Sequence, residues 1–396
     1  MDTFEFFNPV RVFFGNGERQ RIGQLLQGRY QKVLLVCSKG PFRTNGLHAE
    51  IKGLIQEAGA TVFEMGDVDS NPRITSVEEG ANICRLNNIQ CVVALGGGST
   101  MDCSKVIAGA ALTDMDPRRF LWGDKVEMKT SLDTVMIPTI AATGTELNNT
   151  AVIMDEVSLS KSWCGAECMF PKMTIIDPEI HAGVPLRLTI WGAMDILSHT
   201  FEFYFNRHES ALFQLQFSEG IIRSAMECVE LLLKDAKDLR ARGELSWTSI
   251  MAWGGLTKIG RGAPDMACHT IAEGLVPYYD LHHGAALGVI TPRWMRQVVN
   301  RAQSIFARFA RNVFDVQESN DGTAARQGVE LYIRWLRRIG APDTLEQLAG
   351  KKIPSEKLKE ITRRILNENQ EVGRLVKLGE DDIVSIFEAS SIPLGQ

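Results

Sequence analysis

Asp195 and His199 stand four residues apart in the stretch WGAMDILSHTFE. On a helix that spacing stacks two side chains on one face, one turn apart. Farther along, DMACHTIAEGLVPYYDLHHGAALG supplies His269 and, fourteen residues later, His283. One carboxylate and three imidazoles drawn from three chain segments suit a borderline divalent cation such as Fe(II) or Zn(II). Such an ion is a Lewis acid, able to polarise a carbonyl oxygen. Taken alone, Asp195 and His199 read equally well as a helix-face pair. The weight comes from scarcity: the chain has seven histidines in 396 residues, and three sit here at ligand-like spacing. His48, His181 and His208 fall in segments that read as exposed and are assigned no role.

A second kind of chemistry is written at CVVALGGGS. Gly96, Gly97, Gly98 and Ser99 lie between an apolar strand and a helix. Glycines let backbone approach a phosphate, and a helix N-terminus offers free N–H groups and partial positive charge. Asp102, in the first turn of that helix, either stabilises the N-terminus or faces a cofactor. The stretch PTIAATGTELNNTAVI follows another strand and carries Thr139, Thr143 and Thr145. Their hydroxyls would line a nucleotide cleft; the plainer alternative is a polar loop whose hydroxyls are satisfied internally.

The elements that must position these groups divide in two. From KVLLVC onward, short all-apolar strands alternate with amphipathic helices near 47–58, 71–88 and 100–111, which predicts a parallel sheet covered on both faces. FEFFNPVRVFF, residues 4 to 14, reads as a strand with a proline break, ended by the GNG turn. After about residue 187 helical periodicity dominates, over 189–206, 209–235, 246–260, 264–276, 284–315, 323–339, 355–367 and 380–390. The expected domains are therefore 1–187, α/β and dinucleotide-binding, and 188–396, all-helical and metal-binding. A net charge of -5 gives no reason to expect nucleic acid or an anionic membrane as partner. No apolar run approaches membrane-spanning length, and MDTFEFFNP lacks the features of a signal peptide. Eight scattered cysteines without a CxxC pair point to a reducing, cytoplasmic setting.

Taken together the motifs resemble those of the iron-containing (group III) alcohol dehydrogenases, the family of butanol dehydrogenases and lactaldehyde reductase. The likeness runs through GNG at 15–17, NP at 71–72, GGGSTMDCSK at 96–105, PTIAATGTELN at 138–148, DPE at 177–179, DILSHTFE at 195–202, YYDLHHG at 278–284, IGAPDTL at 339–345 and DDI at 381–383. The resemblance implies a dehydroquinate-synthase-like fold, with an N-terminal Rossmann-like parallel-sheet domain and an all-α C-terminal domain. It implies metal ligands at Asp195, His199, His269 and His283, holding Fe2+ or Zn2+. It implies cofactor contacts at Gly96, Gly97, Gly98 and Ser99, with Asp102 in the same motif, and at Thr143, Gly144 and Thr145, where Thr145 replaces the usual serine; Asn71, in the NP motif, and Thr139, in PTIAATGTELN, are further cofactor-binding candidates. Lys161 matches a family lysine that touches the cofactor. Many members carry a further histidine four residues after the third ligand; here that position is Glu273, a candidate proton relay. His282 competes with His283 for the last ligand position, and the spacing and Gly284 favour His283. NAD-specific members tend to place Asp after the second strand, where this chain has Ser38 and Lys39, with Arg43 nearby. NADP(H) is therefore expected over NAD(H). The implied reaction is hydride transfer between that cofactor and a small primary alcohol or aldehyde, in a homodimer or larger homo-oligomer. The alternatives are a glycerol-dehydrogenase-like zinc enzyme, a lyase on the same scaffold, and a catalytically silent cofactor-binding protein.

Overall fold

The computed structural model describes residues 2–40, 44–207, 210–367 and 370–395. It contains two compact units. One comprises Phe7–Val184 and Lys237–Ile250; the other holds the N-terminal residues up to Phe6, Pro185–Ala236 and the chain from Met251 on. Residues Lys237–Ile250, expected in the second domain, thus pack with the first.

The first unit runs β1 (Arg11–Phe14), α1 (Ile22–Leu26), β2 (Lys32–Ser38), α2 (Leu47–Glu57), β3 (Thr61–Val68), α3 (Ile74–Asn87), β4 (Cys91–Gly96), α4 (Gly98–Ala110), β5 (Asp133–Pro138), β6 (Thr150–Asp155), β7 (Ser160–Gly165), β8 (Met173–Ile176) and α5 (Pro178–His181). Six strands form one sheet in the order β1-β8-β5-β4-β2-β3, every pair parallel. The apolar runs follow from this geometry. Val33, Leu35 and Cys37 enter the core on one face with Val93 and Leu95, while Leu34 and Val36 enter the core on the other with Val92. With both faces covered, neither set of alternate side chains can be polar.

The expected strand over 4–14 shrinks to Arg11–Phe14. Pro9 has no N–H to give a ladder, and the Asn8 side chain accepts from Val10 N and donates to Leu147 O, holding that segment outside the sheet. The β6–β7 antiparallel hairpin and strand β8 are further elements that periodicity does not signal.

Helices α6 (Leu186–Tyr204), α7 (Leu212–Lys234), α8 (Leu239–Trp253), α9 (Ala267–Tyr279), α10 (His283–Val298), α11 (Gln303–Phe314), α12 (Asp321–Arg338), α13 (Leu345–Ala349), α14 (Ser355–Leu366) and α15 (Glu380–Ser390) complete the chain. The segment read as one helix over 284–315 is two, parted by a 3-10 turn at Val299–Arg301. Arg301 fixes that break, donating to the Asp382 carboxylate and to Lys377 O. The helix placed at 246–260 lies earlier, at Leu239–Trp253. Helix α6 is buried almost throughout, from Ile190 to Tyr204, and α10 lies against it at very short range. A β-carbon on Gly284 would stand 2.1 Å from Trp191 O, and one on Gly288 would stand 2.2 Å from Met194 Sδ. At Gly284 the obstacle is backbone, so only glycine lets the two helices approach so closely there; at Gly288 it is the Met194 side chain, which any larger residue would have to displace.

Candidate metal centre

That crossing of α6 and α10 is where the four candidate ligands gather. Asp195, His199, His269 and His283 each present one candidate ligand atom, all within 4.8 Å of one another. Asp195 and His199 come from successive turns of α6, His269 from the first turn of α9, and His283 from the first residue of α10. Asp195 Oδ1 lies 3.7 Å from His199 Nδ1 and 3.7 Å from His283 Nε2. Neither is a hydrogen-bond distance. Two ligand atoms at about 2.1 Å from a shared ion in a tetrahedral site would be about 3.4 Å apart, so the spacing fits a bridging cation. His282 stands outside the cluster, with its ring centroid 4.8 Å from that of Trp191.

The donor chemistry passes the same test. His199 Nδ1 and His269 Nε2 are buried and have no hydrogen-bond partner among the described residues. Orphaned imidazole nitrogens in a core are costly unless something fills them. His199 is pushed well below the ordinary histidine range by burial and by neighbouring His269, which keeps it neutral with a lone pair to offer. Its ring stacks on His269 at 4.9 Å and is flanked by Trp253 at 4.9 Å.

Glu202 orients the third imidazole. One carboxylate oxygen lies 2.6 Å from His269 Nδ1 and also accepts from His269 N, while the other accepts from Met266 N. With Nδ1 engaged as the donor, Nε2 is left facing the cluster. A carboxylate behind a metal-binding histidine fixes both tautomer and ring direction. Burial pulls the His269 pKa down, but Glu202, with smaller contributions from Glu273 and Asp195, more than offsets it and leaves the ring raised. Glu273 is half-buried, one turn beyond His269 on α9. Behind these groups Asp265 is pushed up to about 6 by burial and by Glu202; its carboxylate accepts from Arg374 N and Leu375 N, pinning the loop at 373–375 to the start of α9. Sequence reasoning passed over Glu202, although it lies seven residues after Asp195 and three after His199 on the same helix face.

In the sheet unit, the turn Gly96–Ser99 follows β4 and opens α4. A β-carbon on Gly98 would lie 2.4 Å from Thr143 Cγ2, so the 143–145 loop sits directly against the turn. Thr139 is buried, its N–H donating to Gly96 O. Asp102 turns inward: Oδ1 accepts from the Thr145 hydroxyl at 2.5 Å and Oδ2 from Val152 N at 2.9 Å. Thr145 Oγ1 and its carbonyl, Asn148 Oδ1 and Thr150 O all accept from the buried Lys105 ammonium. Burial pushes Lys105 down to about 8, against the pull of Asp102 and Glu146. This lysine, inside GGGSTMDCSK, is a second residue that motif reading missed. Lys161 lies on β7, within electrostatic range of Asp102. Asn71 is buried just after β3. Ser38 ends β2 and Lys39 follows it, while Arg43 and His208 lie outside the described residues. His181 corrects an expectation. It is buried, with its ring nitrogens at 2.7 Å from Ser246 Oγ and 2.8 Å from Pro138 O.

These observations meet a clear likeness. The family model for iron-containing alcohol dehydrogenase matches residues 9–178, and that for the C-terminal part of the Fe-containing alcohol dehydrogenase family matches residues 189–391. The chain belongs to the iron-containing alcohol dehydrogenase family. It is 32% identical to NADH-dependent butanol dehydrogenase A of Clostridium acetobutylicum, over 98% of this chain and 100% of that one. Identity to the NADPH-dependent aldehyde reductase of Escherichia coli is 26%, over 94% and 97%. The crystal structure of NADH-dependent butanol dehydrogenase A from Thermotoga maritima superposes with a TM-score of 0.93 at 30% identity, covering 99% of each chain. No helix among the described residues is long and apolar enough to cross a membrane.

Glu202→Gln keeps the side-chain shape but removes the charge that holds His269. The dissociation constant for Fe(II) or Co(II), measured by chelator competition, should rise about 10- to 100-fold. An unchanged constant would mean that Glu202 has no hold on the ligand.

Proposed function

We propose that this protein is a metal-dependent alcohol dehydrogenase and aldehyde reductase, exchanging hydride between NAD(P)(H) and small primary alcohols or aldehydes. The observation that carries this reading is the pair of buried, unpartnered imidazole nitrogens on His199 and His269, beside the Asp195 carboxylate. Asp195, His199, His269 and His283 would hold the ion, Fe(II) by the family's preference and Zn(II) by the same donor chemistry. When bound, the ion supplies Lewis-acid polarisation of the substrate oxygen and the nicotinamide supplies the hydride.

The chain's own residues do the rest. Asp195 would add one negative charge and the neutral imidazoles none, which would leave the site with a net charge of about +1 once it holds a divalent ion. Glu202 holds His269 in one tautomer. Trp253 sets its ring 4.9 Å from that of His199 at a 46° tilt and would help to cover that side of the site. The Gly96–Ser99 turn and the N-terminus of α4 offer backbone donors to the dinucleotide pyrophosphate, with Thr139, Thr143, Asn71 and Lys161 as further cofactor contacts, while Thr145, its hydroxyl held by Asp102 and Lys105, shapes the loop. Ser38 and Lys39, standing where a carboxylate would repel a 2′-phosphate, support a preference for NADP(H). Glu273, one turn from His269, is placed to relay the proton that completes reduction.

Chelation under anaerobic conditions followed by Fe(II) reconstitution should abolish and then restore NADPH oxidation by an aldehyde panel. Asp195→Ala should lower turnover about 1,000-fold or more and lose the metal; full turnover by a metal-free protein would refute the reading. Glu273→Gln should shift or flatten the pH profile of kcat, and a profile identical to that of the parent would remove the carboxylate from the proton path. We also propose a homo-oligomer. β1 is an edge strand of the sheet, and Phe7, Phe14 and Trp247 are exposed beside it, a covering surface suited to a second copy. Sedimentation should show a dimer or larger species that Phe14→Lys dissociates; a monomeric parent protein would count against it.

A further inference from the structure

Because β4, β2 and β3 are hydrogen-bonded neighbours, their carboxyl ends open side by side. In a parallel sheet of this kind a dinucleotide lies across such ends, and the residue leaving the second strand reads the adenosine ribose. Here β4 leads into the Gly96–Ser99 turn, β2 ends on Ser38 and leads into Lys39, and β3 carries Asp67 near its end and leads into Asp69 and Ser70. The three exits are tied together. Ser38 pairs with Val68, Lys39 N donates to Val68 O, and the Ser99 hydroxyl donates to Ser70 O.

The cation at this place is already engaged. Lys39 Nζ lies 2.7 Å from Asp69 Oδ1, with side chains 60% and 37% exposed. Arg73 Nε lies 4.0 Å from the other Asp69 oxygen, and Asp67, held in a left-handed conformation, adds a second carboxylate to the field at Lys39. No acidic residue follows β2 itself, but the acid from the end of β3 reaches the same point in space. A 2′-phosphate and the Asp69 carboxylate would compete for one ammonium group.

We propose that the Lys39–Asp69 ion pair sets the coenzyme selectivity of this protein, with Asp69 a positioning residue that acts through Lys39. The inference rests on the reading that a nicotinamide dinucleotide binds at the Gly96–Ser99 turn. Lys39 meets the 2′-phosphate of NADP(H) only by giving up Asp69, whereas NAD(H) binds with the pair intact. Asp69 therefore holds the NADP(H) preference down and keeps NAD(H) usable. The pair is solvated, and exposed pairs are weak and salt-screened, so the effect is a modest ratio rather than an absolute choice.

Binding of NADPH and NADH to the metal-loaded protein, followed by nucleotide fluorescence at low and high salt, tests this. Asp69→Asn, and Asp69→Ser as an independent second variant, should tighten NADPH about fivefold while moving NADH less than about twofold. Lys39→Gln should weaken NADPH selectively. In the Lys39→Gln background the gain from Asp69→Asn should largely disappear. Parallel changes in both cofactors, or no change, would overturn the proposal, as would a gain that persists undiminished without Lys39. If the parent protein binds neither nucleotide, the dinucleotide reading itself falls and takes this inference with it.

Discussion

A carboxylate and three imidazoles buried together at a helix crossing form the constraint on which the second unit depends. Asp195, His199 and His269 are almost wholly withdrawn from water. Isolated polar groups in such a place destabilise a fold by several kcal/mol unless they are matched. The approach that brings them together exists because Gly284 carries no side chain where α10 meets the α6 backbone at Trp191. Widening that crossing by one methyl group would carry His283 away from Asp195. The same glycine that marks the motif in sequence is therefore a spacer in three dimensions, and its role is mechanical.

Rigidity around the cluster is built in layers. Glu202 fixes His269, the start of α9 donates to Glu202, and Asp265 pins the 373–375 loop to the same helix start. Both carboxylates are satisfied by backbone N–H groups, and Glu202 by an imidazole as well, an arrangement that resists rotation better than apolar packing alone. The sheet unit uses a parallel device around Lys105. Its ammonium gathers the carbonyls and side chains of 145–150, and Asp102 closes the network through Thr145 and Val152. Thr145 is thus committed to shaping its loop. That loop is set directly against Gly98 through Thr143.

Much of this was legible in the residues, for physical reasons that also mark where legibility ends. Rare residue types at fixed spacing exposed Asp195, His199, His269 and His283, and all-apolar runs revealed the parallel sheet. Glu202 was hidden because glutamates are common on helix faces, and only the position of α9 gives this one a partner. His181 sat in DPEIHAGVP, which reads as an exposed turn, yet its ring is held by Ser246 and Pro138, 65 and 43 residues away in sequence. The break between α10 and α11 carries no proline or glycine and depends on the hold of Arg301 on Asp382 and Lys377. Each miss is a contact between distant segments that overrides a local pattern.

The two units place their charged groups under opposite conditions. In the helical unit Asp195 and Glu202 are buried, and removing either leaves a partner stranded in low dielectric. At the strand ends Lys39 and Asp69 are solvated, and water takes up the charge that either loses. Relatives of this chain carry names for NADH and for NADPH dependence, and under the proposed function such a separation would let the reaction and the coenzyme preference vary apart. The buried ligand set tolerates little variation, because each change there costs stability as well as chemistry. The exposed pair at the strand ends can be altered at little cost to the fold, so the coenzyme selectivity proposed for it could change without disturbing the buried cluster.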